Sequence, residues 1–131
     1  MSDFYDVLIV GGGHGGAQAA IALRQLGFAG TVAIVSQDAD PPYERPPLSK
    51  EYLAGEKPFE RMTIRPPSFW AERAIALRLG QRVTAVAPEE RRLDFERAAS
   101  LRYGTLVWAG GGVPHRLRCP GADLAGVHSI R

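Results

Sequence analysis

The chain has 131 residues, of which 45% are hydrophobic and 23% are charged. This composition is typical of one globular domain and excludes a disordered segment. The formal net charge of +2 is too small to indicate a nucleic-acid partner. The single cysteine, Cys119, excludes a disulfide framework, a cysteine-rich metal site and a redox pair formed by this chain alone.

The amino-terminal region bears on the location of the protein. No Lys or Arg precedes Arg24, whereas a secretory signal peptide begins with positive charge. No apolar run in the chain approaches the roughly 20 residues that cross a bilayer. We therefore expect a cytoplasmic protein with no membrane partner.

The first elements predict a βαβ unit. Residues 5–10 are apolar without alternation, as in a buried strand of a parallel sheet. A glycine-rich turn follows at 11–16, and residues 17–26 have the periodicity of a helix that Gly27 ends. Residues 31–35 are apolar and β-branched, which predicts a second strand. The crossover between two parallel strands is expected to be right-handed.

The remaining residues predict a long loop and several shorter elements. The loop covers residues 37–50, where two Pro-Pro pairs restrict the backbone. Ser49 and Ser68 are each candidate N-caps of short helices, and residues 63–64 are a short extended piece. Further strands are predicted at 76–79, 82–87, 92–95 and 105–108. Because residues 93–96 alternate in polarity, the predicted fold is α/β, with a central parallel sheet and a small antiparallel β insertion.

The glycine-rich turn carries a dinucleotide-binding fingerprint. Gly11, Gly13 and Gly16 complete the pattern G-x-G-x-x-G, and Gly15 belongs to the same turn. The first glycine allows a tight turn, the second allows a pyrophosphate to approach the backbone, and the third allows close packing of helix on strand. A strand before the motif and a helix after it support this interpretation. His14 is expected to be an exposed residue at the start of the helix, with no metal or acid–base role.

An acidic residue about 20 positions beyond the motif is expected to bind the adenosine ribose. Ser36 stands at that distance and Gln37 and Asp38 follow it. Asp38 is the first candidate for the ribose hydroxyls and Gln37 the second. The alternative is that Asp38 only caps the loop. The fingerprint itself does not distinguish NAD from FAD.

Three segments resemble the FAD-dependent ferredoxin reductases that serve bacterial Rieske dioxygenases and cytochrome monooxygenases. They are Asp-Val-Leu-Ile-Val-Gly-Gly-Gly at 6–13, Pro-Tyr-Glu-Arg-Pro-Pro-Leu-Ser-Lys at 42–50 and Leu-Val-Trp-Ala-Gly-Gly-Gly-Val-Pro at 106–114. The resemblance implies a Rossmann-like FAD-binding fold. It also implies an oxidoreductase that passes electrons from NAD(P)H through FAD to a two-iron two-sulfur ferredoxin. FAD is then the cofactor and a ferredoxin the partner.

The resemblance also implies roles for individual residues. Lys50 matches a lysine beside the redox-active flavin ring, although a solvated lysine at a helix cap is the alternative. Arg45 and Pro46 match residues on the adenosine–pyrophosphate side. Three further cofactor contacts are implied at the backbone of Val83, which meets the adenine, at Ala109 and at Arg131.

Two departures from the reductase pattern affect these expectations. The threonine that the family has after Ala109 is Gly110 here, which removes a hydroxyl and a β-branched side chain. The chain also lacks a second G-x-G-x-x-G unit for NAD(P)H, a returning Gly-Asp segment and a C-terminal domain. Residues 1–131 are therefore expected to be the first part of a discontinuous FAD-binding domain, an incomplete domain whose NAD(P)H site lies elsewhere.

Other functions remain as alternatives to a reductase. The chain could be an inactive truncated fragment or a non-catalytic nucleotide-binding module. A disulfide reductase is excluded because residues 37–60 contain no cysteine pair. A free-standing NAD dehydrogenase is disfavoured because Tyr103 and Lys57 lack the spacing of a catalytic pair. No residue of this chain is assigned a catalytic role. Without the missing strands, we expect an exposed sheet edge that favours association.

Overall fold

A computed structural model describes residues 2–131 as a six-stranded sheet with helices packed on one face. The strands are β1 (Phe4–Val10), β2 (Val32–Val35), β3 (Ile75–Arg78), β4 (Val83–Ala87), β5 (Arg92–Phe95) and β6 (Leu101–Trp108). The α-helices are α1 (His14–Gln25) and α2 (Pro67–Glu72), and three 3₁₀ turns cover Pro46–Ser49, Phe59–Arg61 and Pro88–Glu90.

The order of strands across the sheet is β3-β2-β1-β6-β5-β4. The first four strands in that order are parallel, whereas β5 is antiparallel to both β6 and β4. Strand β1 lies at the centre, where Val7 pairs with Val32 of β2 and with Thr105 of β6. The α/β, Rossmann-like fold with a small antiparallel part is therefore confirmed.

The sheet buries apolar side chains on both faces, which explains the uninterrupted apolar run of β1. On one face, Ile9 and Ile34 pack against Ile21 of α1 and Trp70 of α2. On the other face, the antiparallel strands contribute their own residues to a second cluster. That cluster contains Tyr5, Leu8, Val10, Ala33, Val35, Leu93, Phe95, Leu101 and Tyr103. Each large apolar side chain buried in this way stabilises the fold by about 1.5–3 kcal/mol.

Helix α1 differs from its prediction in where it begins. It starts at His14 rather than at residue 17, so Gly15 and Gly16 lie inside the helix. Glycine has a low helix propensity, but close packing of α1 on the preceding turn outweighs that preference here. The predicted end is confirmed, because Leu26 is the C-cap and Gly27 follows with a φ of 82°.

The prediction that Ser49 and Ser68 are helix N-caps is wrong. Ser49 ends the 3₁₀ turn 46–49, and its hydroxyl donates a 3.5 Å hydrogen bond to the Pro46 carbonyl. Ser68 lies inside α2, whose N-cap is Pro66. In both segments proline fixes the φ that a helix start requires, so the start falls at a proline and needs no serine cap.

The later strands follow the predictions closely except for β6. Strand β5 has the predicted bounds, β3 lies one residue earlier than predicted, and β4 starts one residue later and ends as predicted. Strand β6 begins four residues earlier than predicted, at Leu101, because it pairs with β1 from the start, with Arg102 opposite Phe4. Thr63 is extended as predicted and forms an antiparallel bridge with Tyr43. Within residues 2–131, no helix has both the length and the apolar character needed to cross a bilayer.

Candidate functional site

A cleft lies where the carboxyl ends of β1, β2 and β6 meet, the edge at which open parallel sheets bind ligands. It encloses about 290 Å³, at the lower limit of the roughly 300–1,000 Å³ that small-molecule sites occupy. We call it the sheet-edge cleft. The predicted site residues that line it are Gly11, Gly13, Gln37, Asp38, Arg45, Val83, Ala109 and Arg131.

Gly11 is fixed by the strands on either side of it. Its amide donates to the Val35 carbonyl at 2.8 Å, and the Ala109 amide donates to the Val10 carbonyl at 2.7 Å. These bonds bring Ala109 so close that a Cβ on Gly11 would lie 2.0 Å from the Ala109 oxygen. The φ of Gly11 is also 120°, a conformation that L residues rarely adopt. Only glycine fits this position.

Gly16 is required by the packing of α1 on the turn. A Cβ at Gly16 would lie 1.9 Å from the Gly11 oxygen and 3.3 Å from a methyl group of Ile9. At Gly15, in contrast, an added Cβ would meet nothing within 4 Å. Gly15 is exposed, so the fold gives no steric reason for glycine there.

At Gly13, neither the backbone conformation nor neighbouring atoms exclude a side chain. It is the N-cap of α1 with a φ of −82° and a ψ of −168°, an extended conformation that any residue can adopt. A Cβ there would meet only the Nε of Arg45, at 3.9 Å. No side chain caps α1 and no acidic residue lies in its first turn. The first amide groups of α1 are therefore left for an acceptor from outside the helix, such as a phosphate.

Arg45 is held above the glycine turn by two contacts. Its Nη2 lies 3.1 Å from Oδ2 of Asp38, and its Nη1 donates to the Tyr43 hydroxyl at 3.2 Å. The guanidinium carbon also lies 5.2 Å from the centre of the Tyr43 ring. Because the Asp38 and Arg45 side chains are 35% and 32% exposed, the ion pair contributes less than about 1 kcal/mol to stability. Its main effect is to orient the guanidinium.

The charge of the sheet-edge cleft favours an anion. Arg45, Arg82 and Arg131 line it together with one carboxylate, that of Asp38. An Nη of Arg131 lies 3.3 Å from the position of a Cβ on Gly111. Three cations against one anion, beside the amino end of a helix, suit a pyrophosphate.

A second pocket lies beside the cleft, in the loop that contains the two Pro-Pro pairs. We call it the proline-loop pocket; its volume is about 430 Å³. It is lined by His14, Tyr43, Glu44, Arg45, Pro46, Pro47, Lys50, Glu51 and Lys57. Pro46 and Lys50 thus lie here and not in the sheet-edge cleft, and Arg45 lines both. His14 is exposed at the start of α1 as predicted, but it also borders this pocket.

Several cleft residues were missed by the sequence prediction. Gly12, Gln81, Arg82 and Trp108 line the sheet-edge cleft without having been assigned to it. Gly12 had a usable signal, because it stands in a run of three glycines; a Cβ there would lie 2.7 Å from Oγ of Ser36. Gln81 and Arg82 lie between β3 and β4, and Trp108 ends β6, so all three are distant in sequence from the glycine turn and its spacing does not predict them.

Ser36, which stands at the spacing of a ribose-binding residue, has a structural role. Its side chain is almost entirely buried at the end of β2. The hydroxyl accepts a 3.1 Å hydrogen bond from the Asp38 amide, and the backbone carbonyl accepts from the Gln81 amide at 2.9 Å. Ser36 therefore shapes the turn that presents Gln37 and Asp38 to the cleft.

Comparison with known proteins agrees with this geometry. The model for pyridine nucleotide-disulphide oxidoreductases matches residues 5–131. The chain belongs to this oxidoreductase family. A ferredoxin–NAD(P)⁺ reductase of a Sphingomonas species is 61% identical over 127 residues, which are 97% of this chain and 31% of that protein. The ferredoxin reductase subunit of 5,5'-dehydrodivanillate O-demethylase from a Sphingobium species is 56% identical, with the same coverage.

Solved structures of reductases have the same fold. A ferredoxin reductase from Rhodopseudomonas palustris matches with a TM-score of 0.85 and 36% identity, over 96% of this chain and 30% of that one. The covalent complex of putidaredoxin reductase with putidaredoxin matches with a TM-score of 0.82 and 37% identity, over 86% of this chain and 27% of that one. The resemblance to ferredoxin reductases is therefore confirmed. The chain spans about 31% of the length of its first curated relatives.

Proposed function

We propose that residues 1–131 are the first part of a discontinuous FAD-binding domain in an NAD(P)H-dependent ferredoxin reductase. The observation that carries the proposal is the glycine turn. It has an uncapped helix start and an open position at Gly13, with Arg45 held directly above. This is the arrangement that a dinucleotide pyrophosphate requires.

The residues of the sheet-edge cleft fit the adenosine and pyrophosphate parts of FAD. The backbone at Gly11 and Gly13 gives the pyrophosphate access to the start of α1. Arg45 and Arg131 supply positive charge. Asp38, with one carboxylate oxygen paired to Arg45, retains acceptor capacity for a ribose hydroxyl.

The residues of the proline-loop pocket fit the flavin part. Arg45 lines both pockets and Lys50 lines the second, so one extended ligand could occupy the cleft and reach Lys50. FAD would supply the redox chemistry, accepting a hydride from NAD(P)H and delivering single electrons to a ferredoxin. The role of Lys50 would be to place a positive charge beside the ring, and Pro46 and Pro47 would restrict the loop that carries it.

The proposed partners come from the relatives that the chain resembles. Two of them are named as ferredoxin reductases, and one solved relative is captured with putidaredoxin. By that analogy, the electron acceptor is a two-iron two-sulfur ferredoxin that serves an oxygenase. NAD(P)H would bind to a part of the reductase that residues 1–131 do not include.

A chimeric enzyme tests this proposal. The matching 127 residues of the Sphingomonas ferredoxin–NAD(P)⁺ reductase are replaced by those of this chain. We expect the purified chimera to contain FAD and to reduce ferredoxin with NADH or NADPH. The same chimera carrying Gly13→Val is the control and is expected to lose FAD. A folded chimera that carries no FAD would contradict the proposal.

An assay of the isolated 131-residue chain shows whether it is one part of a reductase or an enzyme by itself. It is incubated with FAD, NADH or NADPH and an artificial acceptor, and FAD binding is measured by equilibrium dialysis. We expect binding of FAD but no turnover above the free-flavin background. FAD binding without activity in the chimera would favour a non-catalytic nucleotide-binding module. Turnover by a monomeric 131-residue chain would show that it is an enzyme without further domains.

A further inference from the structure

Trp108 is an exposed aromatic residue in the sheet-edge cleft. It ends β6, where it pairs with Val10 of β1, and it lines the cleft. Its exposed fraction is 61%, whereas the other tryptophan, Trp70, is 1% exposed. Indole is among the side chains that gain most free energy from burial and ring stacking. An indole held open at the wall of a cleft is therefore suited to contact a ligand.

The indole also accounts for Gly110. A Cβ at Gly110 would lie 3.3 Å from Nε1 and 3.4 Å from Cε2 of Trp108. Gly110 does not have a positive φ, so its backbone does not require glycine. The ring of Trp108 is what leaves little room for a side chain there. The threonine expected from the reductase pattern is thus replaced by a glycine beneath an indole.

The backbone beneath the indole is held firmly. The Ala109 amide is bonded to the Val10 carbonyl, and the Ala109 oxygen lies against Gly11. The base of the indole is therefore fixed relative to the glycine turn. The cleft that it lines also contains Gln37, Asp38 and Val83, while Lys50 lies in the proline-loop pocket.

We propose that Trp108 is a cofactor-binding residue that contacts the adenosine half of the dinucleotide. The indole occupies space that a β-branched side chain at position 110 would need. This inference rests on the proposed function, because it assumes that the cleft holds a dinucleotide. It excludes the flavin ring as the partner of Trp108, since Lys50 and the cleft wall at Trp108 belong to different pockets.

Tryptophan fluorescence of the 131-residue chain tests the contact. The chain is titrated with ADP, which carries the adenosine and pyrophosphate groups. We expect ADP to quench the emission of Trp108 until the site is saturated. Trp108→Phe is the control, because only buried Trp70 then emits and quenching by ADP should disappear. Equal quenching of the parent and Trp108→Phe would overturn the inference.

Affinity measurements show whether the Trp108 ring stacks on the ligand or only lies near it. We expect Trp108→Leu to raise the Kd for ADP about fivefold, and Trp108→Phe, which keeps a ring, about twofold or less. Gly110→Thr is expected to weaken ADP binding in the parent but not in Trp108→Leu, where the crowding is relieved. Unfolding curves of each variant check that the fold is intact.

Two failures would have different meanings. If FAD and ADP bind to the parent but Trp108→Leu has an unchanged Kd, the role of Trp108 is wrong and the proposed function stands. If neither FAD nor ADP binds to the folded parent and the folded chimera also carries no FAD, the proposed function is wrong and the inference falls with it.

Discussion

The sheet-edge cleft and the proline-loop pocket lie side by side but are built differently. Part of the cleft is backbone, the glycine turn at the ends of β1, β2 and β6, which has main-chain hydrogen bonds of 2.7 and 2.8 Å around Gly11. The pocket is formed mainly by side chains on a loop without strands. That loop is held by a bridge between Tyr43 and Thr63 and by the Glu44 amide, which donates to the carbonyl of buried Met62.

This difference predicts two kinds of sensitivity to mutation. Where backbone forms the wall, an added methyl group has no space and changes the fold or blocks the ligand. Where charged side chains form the wall, a substitution changes the electrostatics and leaves the fold intact.

The strongest test of the close backbone packing beside the cleft is Gly16→Ala, since Gly16 lies in α1 against the glycine turn. Because the new Cβ would lie 1.9 Å from the Gly11 oxygen, we expect a loss of stability on the order of 3 kcal/mol. Gly15→Ala is the matched control: its Cβ meets nothing within 4 Å, and alanine favours the helix by about 1 kcal/mol. Denaturant unfolding measures both. If both variants were equally stable, helix packing would not require glycine at position 16.

Gly13→Val tests whether the open position serves a ligand. The backbone at Gly13 accepts a side chain and the nearest atom is 3.9 Å away, so we expect stability to change by less than about 1 kcal/mol. A β-branched group there would occupy the approach to the pyrophosphate, and we expect FAD affinity to fall at least about 100-fold. Equilibrium dialysis provides the measurement. A valine variant that binds FAD as the parent does would refute the dinucleotide assignment.

Lys50→Met tests the side-chain-built pocket. Methionine keeps the length of the stem and removes the charge. If Lys50 lies beside the flavin, the midpoint potential of bound FAD should fall by an amount on the order of tens of millivolts. Lys50→Arg is the control, because it keeps the positive charge at this position and is expected to leave the potential close to that of the parent. An unchanged potential in Lys50→Met would return Lys50 to the role of a solvated lysine.

The smallest effect concerns Asp6, which lies towards the end of β1 away from the cleft. Its carboxylate accepts hydrogen bonds from the Thr31 amide at 2.7 Å and the Thr31 hydroxyl at 2.9 Å. The backbone bond first, and then the hydroxyl bond, holds the pKa of Asp6 below its ordinary value. A lowered folded-state pKa stabilises the protein above the unfolded pKa, and this contribution is lost as pH falls through the folded value.

Asp6→Asn removes the carboxylate, so the difference in stability between parent and variant measures the contribution of its ionised form. We expect the variant to melt at a slightly lower temperature than the parent at pH 7. The difference should shrink below about pH 4, the ordinary range of aspartate. Thermal unfolding from pH 7 to pH 2.5 checks it. FAD affinity at neutral pH should be unchanged, because Asp6 lies outside both pockets; a difference in melting temperature that is constant over this pH range would contradict the assignment.

The local part of the fold could be predicted from the sequence, because the signals lie within about 30 residues. The unbroken apolar run of β1, the glycine spacing and Gly27 together predict strand, turn and helix. The helix start was displaced because Gly15 and Gly16 have a turn-like propensity that packing overrides. The predicted serine caps are wrong because the two helical segments already start at prolines, Pro46 and Pro67.

Only the tertiary structure brought the distant parts of the site together. Pairing of β6 with β1 places Ala109 against Gly11, although nearly a hundred residues separate them. The loop fold places Arg45 above Gly13 and divides the predicted residues between two pockets, with Pro46 and Lys50 in the second. Trp108 reaches the cleft by the same pairing. The sequence by itself determined the glycine turn, because a turn is set by local backbone conformation. The walls around it depend on long-range strand pairing and packing, which no local pattern encodes.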